Sequence, residues 1–306
     1  MDQYSRRQFV QTSSLLVAGS LIKPSFAFKK HKPQLSFSTL GCPDWSFTQI
    51  TDFAAANGYT GIELRGIQRE MDLTKCKDLN SIQSRLDTLK IMGDKGLKFV
   101  DFGSSCTLHI SDPIERRKNL NEGRRFIELA MQLNCPFVRV FPNNLPEKDP
   151  QRSNALDLII KGLLELADFA KGSNVSVLIE SHGDLVKISD LEFVMKAAKH
   201  ANTGMIWDVT NMWTITKEPP VEAYKALRSY IKHTHIKNAK IVDGKVQYVL
   251  LNQGEVPIFE AIDALASGGY KGFYSFEWEK LWHPEIGEPE VSLADYPKAM
   301  LAHFNQ

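Results

Sequence analysis

The sequence lacks the signatures of most nucleotide-binding and nucleic-acid-binding proteins. Its 306 residues contain no G-x-G-x-x-G after a strand-like segment and no G-x-x-x-x-G-K-[ST], which argues against the usual nucleotide-binding loops. The formal net charge of +1 leaves no basic excess, so we expect no nucleic-acid partner. The four cysteines are scattered and form no C-x-x-C pair, which argues against a disulfide framework or a zinc knuckle.

Long apolar runs are also absent beyond the N-terminus, so we expect no stable membrane anchor. The segment SRRQFV (5–10) resembles a twin-arginine export motif, and an apolar stretch and Ser25-Phe26-Ala27 follow it. This three-part pattern predicts that residues 1–27 are an export signal cleaved near Ala27. We expect residues 28–306 to form one soluble domain outside the cytoplasm, in the periplasm.

From Leu35 onward, short apolar segments alternate with longer segments of helical periodicity. The alternation predicts eight strands, at 35–40, 61–65, 97–103, 136–141, 175–181, 204–209, 230–237 and 272–278. Eight strand–helix units favour an α/β fold of the (β/α)8 TIM-barrel type over an open doubly wound sheet. An Asp-Gly pair within 240–251 predicts a β-hairpin after the seventh strand, and a last helix is expected at about 293–304.

The last four predicted strands share one feature at their C-terminal ends, where the chemistry of a TIM barrel lies. Each places an ionisable residue on its inward face, because strand residues alternate between faces. These residues are Glu180, Asp208, His235 and Glu277. One acid at a strand end is commonly a helix cap or an ion-pair partner, but four on consecutive strands predict a site for Mn²⁺, Mg²⁺, Co²⁺ or Zn²⁺.

Further polar residues at or after strand ends are candidates for substrate binding. Alternatives stay open for each of them: an exposed rim position, a structural ion pair between Glu63 and Arg65, a helix cap for Asn211, or surface packing of the tail loop. The candidates are His182, Lys237, Glu63, Arg65, Asn211, His109 and His283. We expect His233 to be a structural residue one layer deeper than His235, and Lys237 to lie at the rim.

The segments LIESH, WDVTN, HIKN and SFEWE, together with ANGYTGIELR, resemble the sugar phosphate isomerase/epimerase family, the xylose isomerase-like TIM barrels. The resemblance covers nearly all of the predicted mature chain and includes the order of the four candidate ligands. Two departures concern the substrate. Asn211 stands where many family epimerases have histidine, and Asn238 ends a run that usually ends in aspartate. The family's substrate specificities therefore do not carry over.

The resemblance implies a metal-dependent isomerase or epimerase that acts through an enediolate. It also implies that Glu180 and Glu277 serve both as ligands and as the acid/base pair. The predicted export and the lack of an obvious Arg/Lys phosphate cradle favour a neutral sugar or sugar derivative as the substrate. One alternative is a lyase or dehydratase that performs β-elimination on a 3-keto-glycoside or polyol, with His182, His109 or His283 as an additional acid. Another is a non-catalytic, metal-dependent sugar-binding protein. A homo-oligomer is compatible with all three.

Overall fold

Eight parallel strands close into a barrel in the computed structural model, which describes residues 32–305. The predicted export signal lies outside these residues. The order of the strands around the barrel follows their order in the sequence, and the last barrel strand closes the ring against the first. The TIM-barrel prediction is thus confirmed. The strands are β1 Gln34–Ser38, β2 Gly61–Leu64, β3 Lys98–Thr107, β4 Phe137–Phe141, β5 Ser176–Glu180, β6 Thr203–Asp208, β7 Ile231–Ile236 and β10 Phe273–Phe276.

Helices connect the strands, and several begin at polar caps that the sequence supplies. Ser46 and Gln49 form a capping box at the first helix, and the Asp112 side chain accepts from two backbone N–H groups at the third. No described helix is both long and apolar enough to cross a membrane. The helices are α1 Phe47–Ala56, α2 Ile82–Asp94, α3 Pro113–Gln132, α4 Gln151–Phe169, α5 Ile188–Ala197, α6 Val209–Thr216, α7 Pro220–Leu227, α8 Ile258–Ser267 and α9 Pro289–Phe304.

The predicted hairpin after the seventh strand is present. Strands β8 Asn238–Val242 and β9 Lys245–Val249 pair antiparallel across Asp243 and Gly244. These two turn residues have φ values of 51° and 73°, and a two-residue turn with positive φ at both positions matches the twist of a hairpin. The Asp-Gly pair therefore decided this local structure.

Two elements are longer than the sequence predicted. Strand β3 continues to Thr107, which pairs with Phe141 after an irregularity in the register. The composition of the Gly103-Ser104-Ser105 run favours a turn. The run is extended instead because β3 pairs with the neighbouring strand β4 on both sides of it. Helix α9 begins at Pro289 instead of about residue 293, because the fixed φ of proline suits the first turn of a helix.

The barrel interior is unusually polar. A TIM-barrel interior is normally filled by valine, isoleucine and leucine, and here apolar residues instead bury the outer faces of the strands against the helices. The inward residues include Ser36, Glu63, Asp101, Arg139, His233 and Ser275, each at most 2% exposed. Because burying a charged group is costly unless it is paired, this interior requires an internal network of partners.

The close packing around Gly61 in strand β2 can be tested by substitution. A methyl group at Gly61 would lie 2.5 Å from Val100 Cγ1 and 2.6 Å from Phe273 Cε1. We expect Gly61→Ala to lower the free energy of unfolding by about 1–3 kcal/mol through overpacking.

The matched control is Gly93→Ala in helix α2, where no described atom beyond the adjacent residues and the helix's own backbone lies within 4 Å of the new methyl group. This variant is expected to be more stable than the wild type by about 0.5–1 kcal/mol. Urea unfolding followed by circular dichroism measures both changes. Equal effects of the two substitutions would contradict the packing described for β2.

Candidate metal centre

Four ionisable side chains converge at the C-terminal end of the barrel. Glu180 and Asp208 end β5 and β6, His235 lies near the end of β7, and Glu277 directly follows β10. One ligand atom from each lies within 4.8 Å of the others. Nδ1 of His235 is 3.3 Å from Glu180 Oε1, 3.2 Å from Glu277 Oε2 and 3.8 Å from Asp208 Oδ2. The structure therefore brings together all four residues of the predicted ligand set.

The other nitrogen of His235 faces a buried carboxylate. Glu63 Oε2 lies 3.1 Å from His235 Nε2 and 3.0 Å from His233 Nε2, and it accepts a third bond of 3.1 Å from Ser275 Oγ. Burial would lower the pKa of His235, but Glu277, Glu63 and Glu180 outweigh it and raise that pKa well above its usual value. Without a bound cation, His235 is thus an imidazolium with acids on both sides.

Two cationic side chains that are not candidate ligands form ion pairs with the carboxylates of the ligand set. Arg139 Nη1 donates to Glu180 Oε2 at 2.9 Å, and Lys237 Nζ lies 2.5 Å from Glu277 Oε2 and 2.8 Å from Asp208 Oδ2. Burial alone would raise the pKa of Glu180, yet the His235 imidazolium and Arg139 lower it to about 2. The pKa of Glu277 is lowered for the same reasons, with Lys237 in place of Arg139 as the second cation. Both glutamates are therefore ionised.

Acids outnumber bases in the described interior. Six buried carboxyl groups, from Glu63, Asp101, Glu180, Asp208, Glu277 and Glu279, face the buried side chains of Arg65, Arg139 and Lys237 and the imidazole rings of His233 and His235. Burial raises the pKa of Asp208 to about 7, and Asp208 Oδ2 has no aligned hydrogen-bond donor despite its ion pair with Lys237. A histidine that binds a metal is neutral, so a divalent cation would take over from the His235 proton in offsetting the charge of the ligand carboxylates. Oxygen-rich donors with one imidazole, converging on one point, fit such an ion.

A cavity of about 220 Å³ opens beside the four candidate ligands. It is smaller than the roughly 300–1,000 Å³ of drug-sized sites, so it suits a small ligand. Glu180 and Glu277 belong both to the ligand set and to the cavity wall. The full lining is Leu40, Arg65, Arg139, Phe141, Glu180, His182, Glu277, Glu279 and Trp282.

The model of the family described as "Xylose isomerase-like TIM barrel" matches residues 51–296. The chain belongs to this xylose isomerase-like family. A 3-dehydroshikimate dehydratase of Bacillus anthracis is 27% identical over 230 residues, which cover 71% of this chain and 78% of that relative.

Solved structures show the same barrel. An IolI protein with a bound zinc atom superposes with a TM-score of 0.73 at 15% identity, covering 89% of this chain and 98% of that one. An L-ribulose 3-epimerase superposes with a TM-score of 0.72 at 14% identity, covering 89% and 95%. At these identities the likeness concerns the fold alone. This xylose isomerase-like chain thus shares its barrel with epimerases and a zinc-binding protein.

The structure brings some of the predicted substrate-binding residues of this xylose isomerase-like protein to the cavity wall. His182 and Arg65 line the cavity. Lys237 does not lie at the rim as expected: it is 1% exposed, because its ammonium group is drawn down to three carboxylates. Glu63 lies beneath the ligands and pairs with His233 and His235, not with Arg65.

Three other candidates lie away from the wall. Nδ1 of His109 is 3.1 Å from the carbonyl oxygen of Pro142, and Nδ1 of His283 is 3.2 Å from Glu285 Oε1. The backbone N–H of Asn211 donates to Asp208 Oδ1 at 2.8 Å, so Asp208 caps helix α6 as well as facing the site.

Sequence reasoning missed Arg139 and did not single out Glu279. The sequence contains a signal for each of these two residues. Arg139 is a charged residue in the middle of the apolar strand FVRVF, and Glu279 shares the inward parity of Glu277. Glu279 Oε1 accepts from Lys237 Nζ at 2.6 Å, and burial raises the pKa of Glu279. Burial therefore makes Glu279 easier to protonate than a glutamate in water, while its contact with Lys237 opposes that shift.

The Arg139–Glu180 pair gives a stability test. Arg139→Met would remove one of the two cations beside the buried Glu180 carboxylate, and we expect a loss of about 3–5 kcal/mol in unfolding free energy near neutral pH. In the wild type, the lowered pKa of Glu180 contributes stability above the ordinary glutamate pKa, and that stability is lost only as pH falls towards about 2. In the variant, Glu180 has only the His235 contact of these two and takes up a proton at a higher pH than in the wild type.

The difference between wild type and Arg139→Met should therefore shrink as pH falls from the ordinary glutamate pKa towards about 2. Urea unfolding at each pH, in the presence of a chelator, measures it. Arg124→Met is the control, because its ion pair with Glu165 is partly exposed and should contribute less than about 1 kcal/mol. A pH-independent difference for Arg139→Met would contradict this account of the pair.

Proposed function

We propose that this protein is a divalent-metal-dependent enzyme that removes a proton from a carbon atom next to a carbonyl group in a small polyhydroxylated substrate. The observation that carries the proposal is the overlap of two sets of residues. The four atoms suited to hold a cation lie within 4.8 Å of one another, and two of their residues, Glu180 and Glu277, also line the cavity.

The chain's own residues would divide the chemistry between them. A divalent cation held by Glu180, Asp208, His235 and Glu277 would supply a Lewis acid that makes the carbon–hydrogen bond next to a carbonyl group more acidic. Glu180 and Glu277 are ionised because their pKa values are lowered, so both are in the protonation state that a general base requires. Arg139 Nη1 lies 2.9 Å from Glu180 and 3.9 Å from Glu277, and thereby spaces the two carboxylates.

Proton return by the second glutamate makes isomerisation or epimerisation the first candidate reaction. Strands β5 and β10 are separated in the barrel by β6 and β7, so the two carboxylates reach the site from different strands on different sides. Transfer between the faces of one carbon inverts it, and transfer to the neighbouring carbon isomerises the sugar. Barrel relatives that are epimerases support this candidate.

Elimination is a second candidate, favoured by Glu279. This carboxyl group lines the cavity and burial raises its pKa, so it can donate a proton to a leaving oxygen. The dehydratase relative, at 27% identity, supports this candidate. A 3-keto-glycoside or a keto-polyol has the carbonyl group and the leaving oxygen that such a reaction needs.

A neutral substrate suits the charges of the cavity. Arg65 donates to the carbonyl oxygen of Gly103 and to Ser105 Oγ, and Arg139 donates to Glu180 and to the carbonyl oxygen of Ser104. Both arginines of the described cavity wall are therefore engaged within the protein, not held ready for a phosphate group. Export through residues 1–27 remains part of this proposal, since an exported enzyme meets neutral sugars and glycosides.

Metal content tests the ligand set. The wild-type protein is expected to retain about one equivalent of Mn²⁺ or Zn²⁺ after dialysis, whereas His235→Ala should bind it at least ~10-fold more weakly. His303→Ala is the matched control, because His303 pairs with Asp263 on the helices and not with the four ligands. Full metal occupancy of His235→Ala by elemental analysis would refute the assignment.

Deuterium exchange tests the reaction. The Mn²⁺-loaded protein in D₂O is expected to label candidate ketoses or 3-keto-glycosides at the carbon next to the carbonyl group. Glu180→Gln and Glu277→Gln should each slow the labelling by about 10²–10⁴-fold, with metal content measured in parallel. Glu165→Gln, on the outside of the barrel, serves as the control.

The pattern of products separates the candidates. Labelling without loss of substrate identifies an isomerase or epimerase, and labelling with a new ultraviolet absorbance of an enone identifies elimination. Binding of a sugar with no labelling at all would overturn the enzymatic proposal in favour of a metal-dependent sugar-binding protein.

A further inference from the structure

We propose that Asn143 is a positioning residue that holds the His182 ring as the Nδ1–H tautomer, with Nε2 left as a hydrogen-bond acceptor for a substrate hydroxyl group. His182 Nδ1 lies 3.0 Å from Asn143 Oδ1, and the His182 ring lines the cavity. The tautomer itself is a property of the free protein. Only the contact with a substrate hydroxyl group rests on the proposed function.

The direction of each hydrogen bond follows from a backbone carbonyl group. The carbonyl oxygen of Ser105 can only accept, so the Thr107 hydroxyl group, 3.2 Å away, donates to it. Thr107 Oγ1 then accepts from Asn143 Nδ2 at 3.3 Å. The Asn143 amide is thereby oriented with Oδ1 towards His182, and an amide oxygen can only accept. His182 must therefore carry its proton on Nδ1.

The other nitrogen of the His182 ring is free for a ligand. Nε2 makes no hydrogen bond to any described residue, and the ring packs at 4.5 Å against Phe141. A neutral imidazole protonated on Nδ1 presents a lone pair at Nε2. The chemical partner of that lone pair is a hydroxyl group, which a polyhydroxylated substrate offers. His182 is thus a hydrogen-bond acceptor in the cavity.

The backbone around Asn143 holds the amide in place. Asn143 has a φ of 51°, a left-handed conformation that asparagine tolerates better than most residues. Its carbonyl oxygen accepts from the N–H of Asp184 at 2.9 Å, and a methyl group at Gly183 would lie 2.6 Å from that oxygen. The loops after β4 and β5 are therefore locked together, and the amide bridges them to the end of β3 at Thr107. Such a backbone conformation persists where its surroundings require it.

Nitrogen-15 NMR of histidine-labelled full-length protein tests the tautomer directly, at a pH above the ordinary histidine range. The signals of His182 are assigned by their loss in His182→Gln. In the wild type we expect Nδ1–H to be the dominant tautomer of His182. Asn143→Gly removes the amide while tolerating the positive φ, and the Nε2–H form should then become dominant. Asn143→Asp restores an acceptor and should restore Nδ1–H.

A second variant keeps the proposal testable if substitution of Asn143 disturbs the loops. Thr107→Val removes the oxygen that orients the amide, and it should lower the Nδ1–H fraction of His182 while Asn143 is intact. A dominant Nε2–H form in the wild type, or an unchanged tautomer in both Asn143→Gly and Thr107→Val, would overturn the proposal. Because no substrate or metal is needed, failure of the proposed reaction would leave this result unaffected, and the converse also holds.

Discussion

Burial of charge at the C-terminal end of the barrel is the constraint on which the rest of the structure depends. Carboxyl groups sit where a barrel of this type normally packs aliphatic side chains, and each would be unstable there alone. Arg139 and Lys237 offset part of the charge, with bonds of 2.9 Å to Glu180 and 2.5 Å to Glu277. His235 offsets more, since its two nitrogens face acids on opposite sides.

The contacts that stabilise these buried charges also set the protonation state and the position of the carboxylates at the candidate site. Cations that keep Glu180 and Glu277 ionised leave them able to accept protons, and they also fix where the carboxylates stand. Glu63 sets the orientation of His235 from below, because it accepts from Nε2 and so directs Nδ1 to the other three candidate ligands. A carboxylate behind a metal-ligating histidine is a common arrangement in metalloproteins.

The upper wall of the cavity depends on loops more than on strands. Asn143, Gly183 and Thr107 lie at or beyond strand ends, and contacts among them join the ends of three neighbouring strands. The barrel thus supplies the ionisable groups below the cavity, and the loops orient His182 at the cavity wall. Catalytic barrels commonly divide their sites in this way.

The sequence by itself determined the fold and the composition of the candidate metal centre. Alternation of apolar strands and amphipathic helices specifies the barrel, and the parity of residues along each strand selects Glu180, Asp208, His235 and Glu277, because both signals are local. Only the tertiary structure decided the roles of Lys237, Glu63, Arg139 and Asn143. Their partners lie on other strands or loops, 36 to 172 residues away in the pairs that define the site. These contacts depend on how far each side chain extends across the barrel. The spacing of residues along the chain does not specify which side chains come within reach of one another.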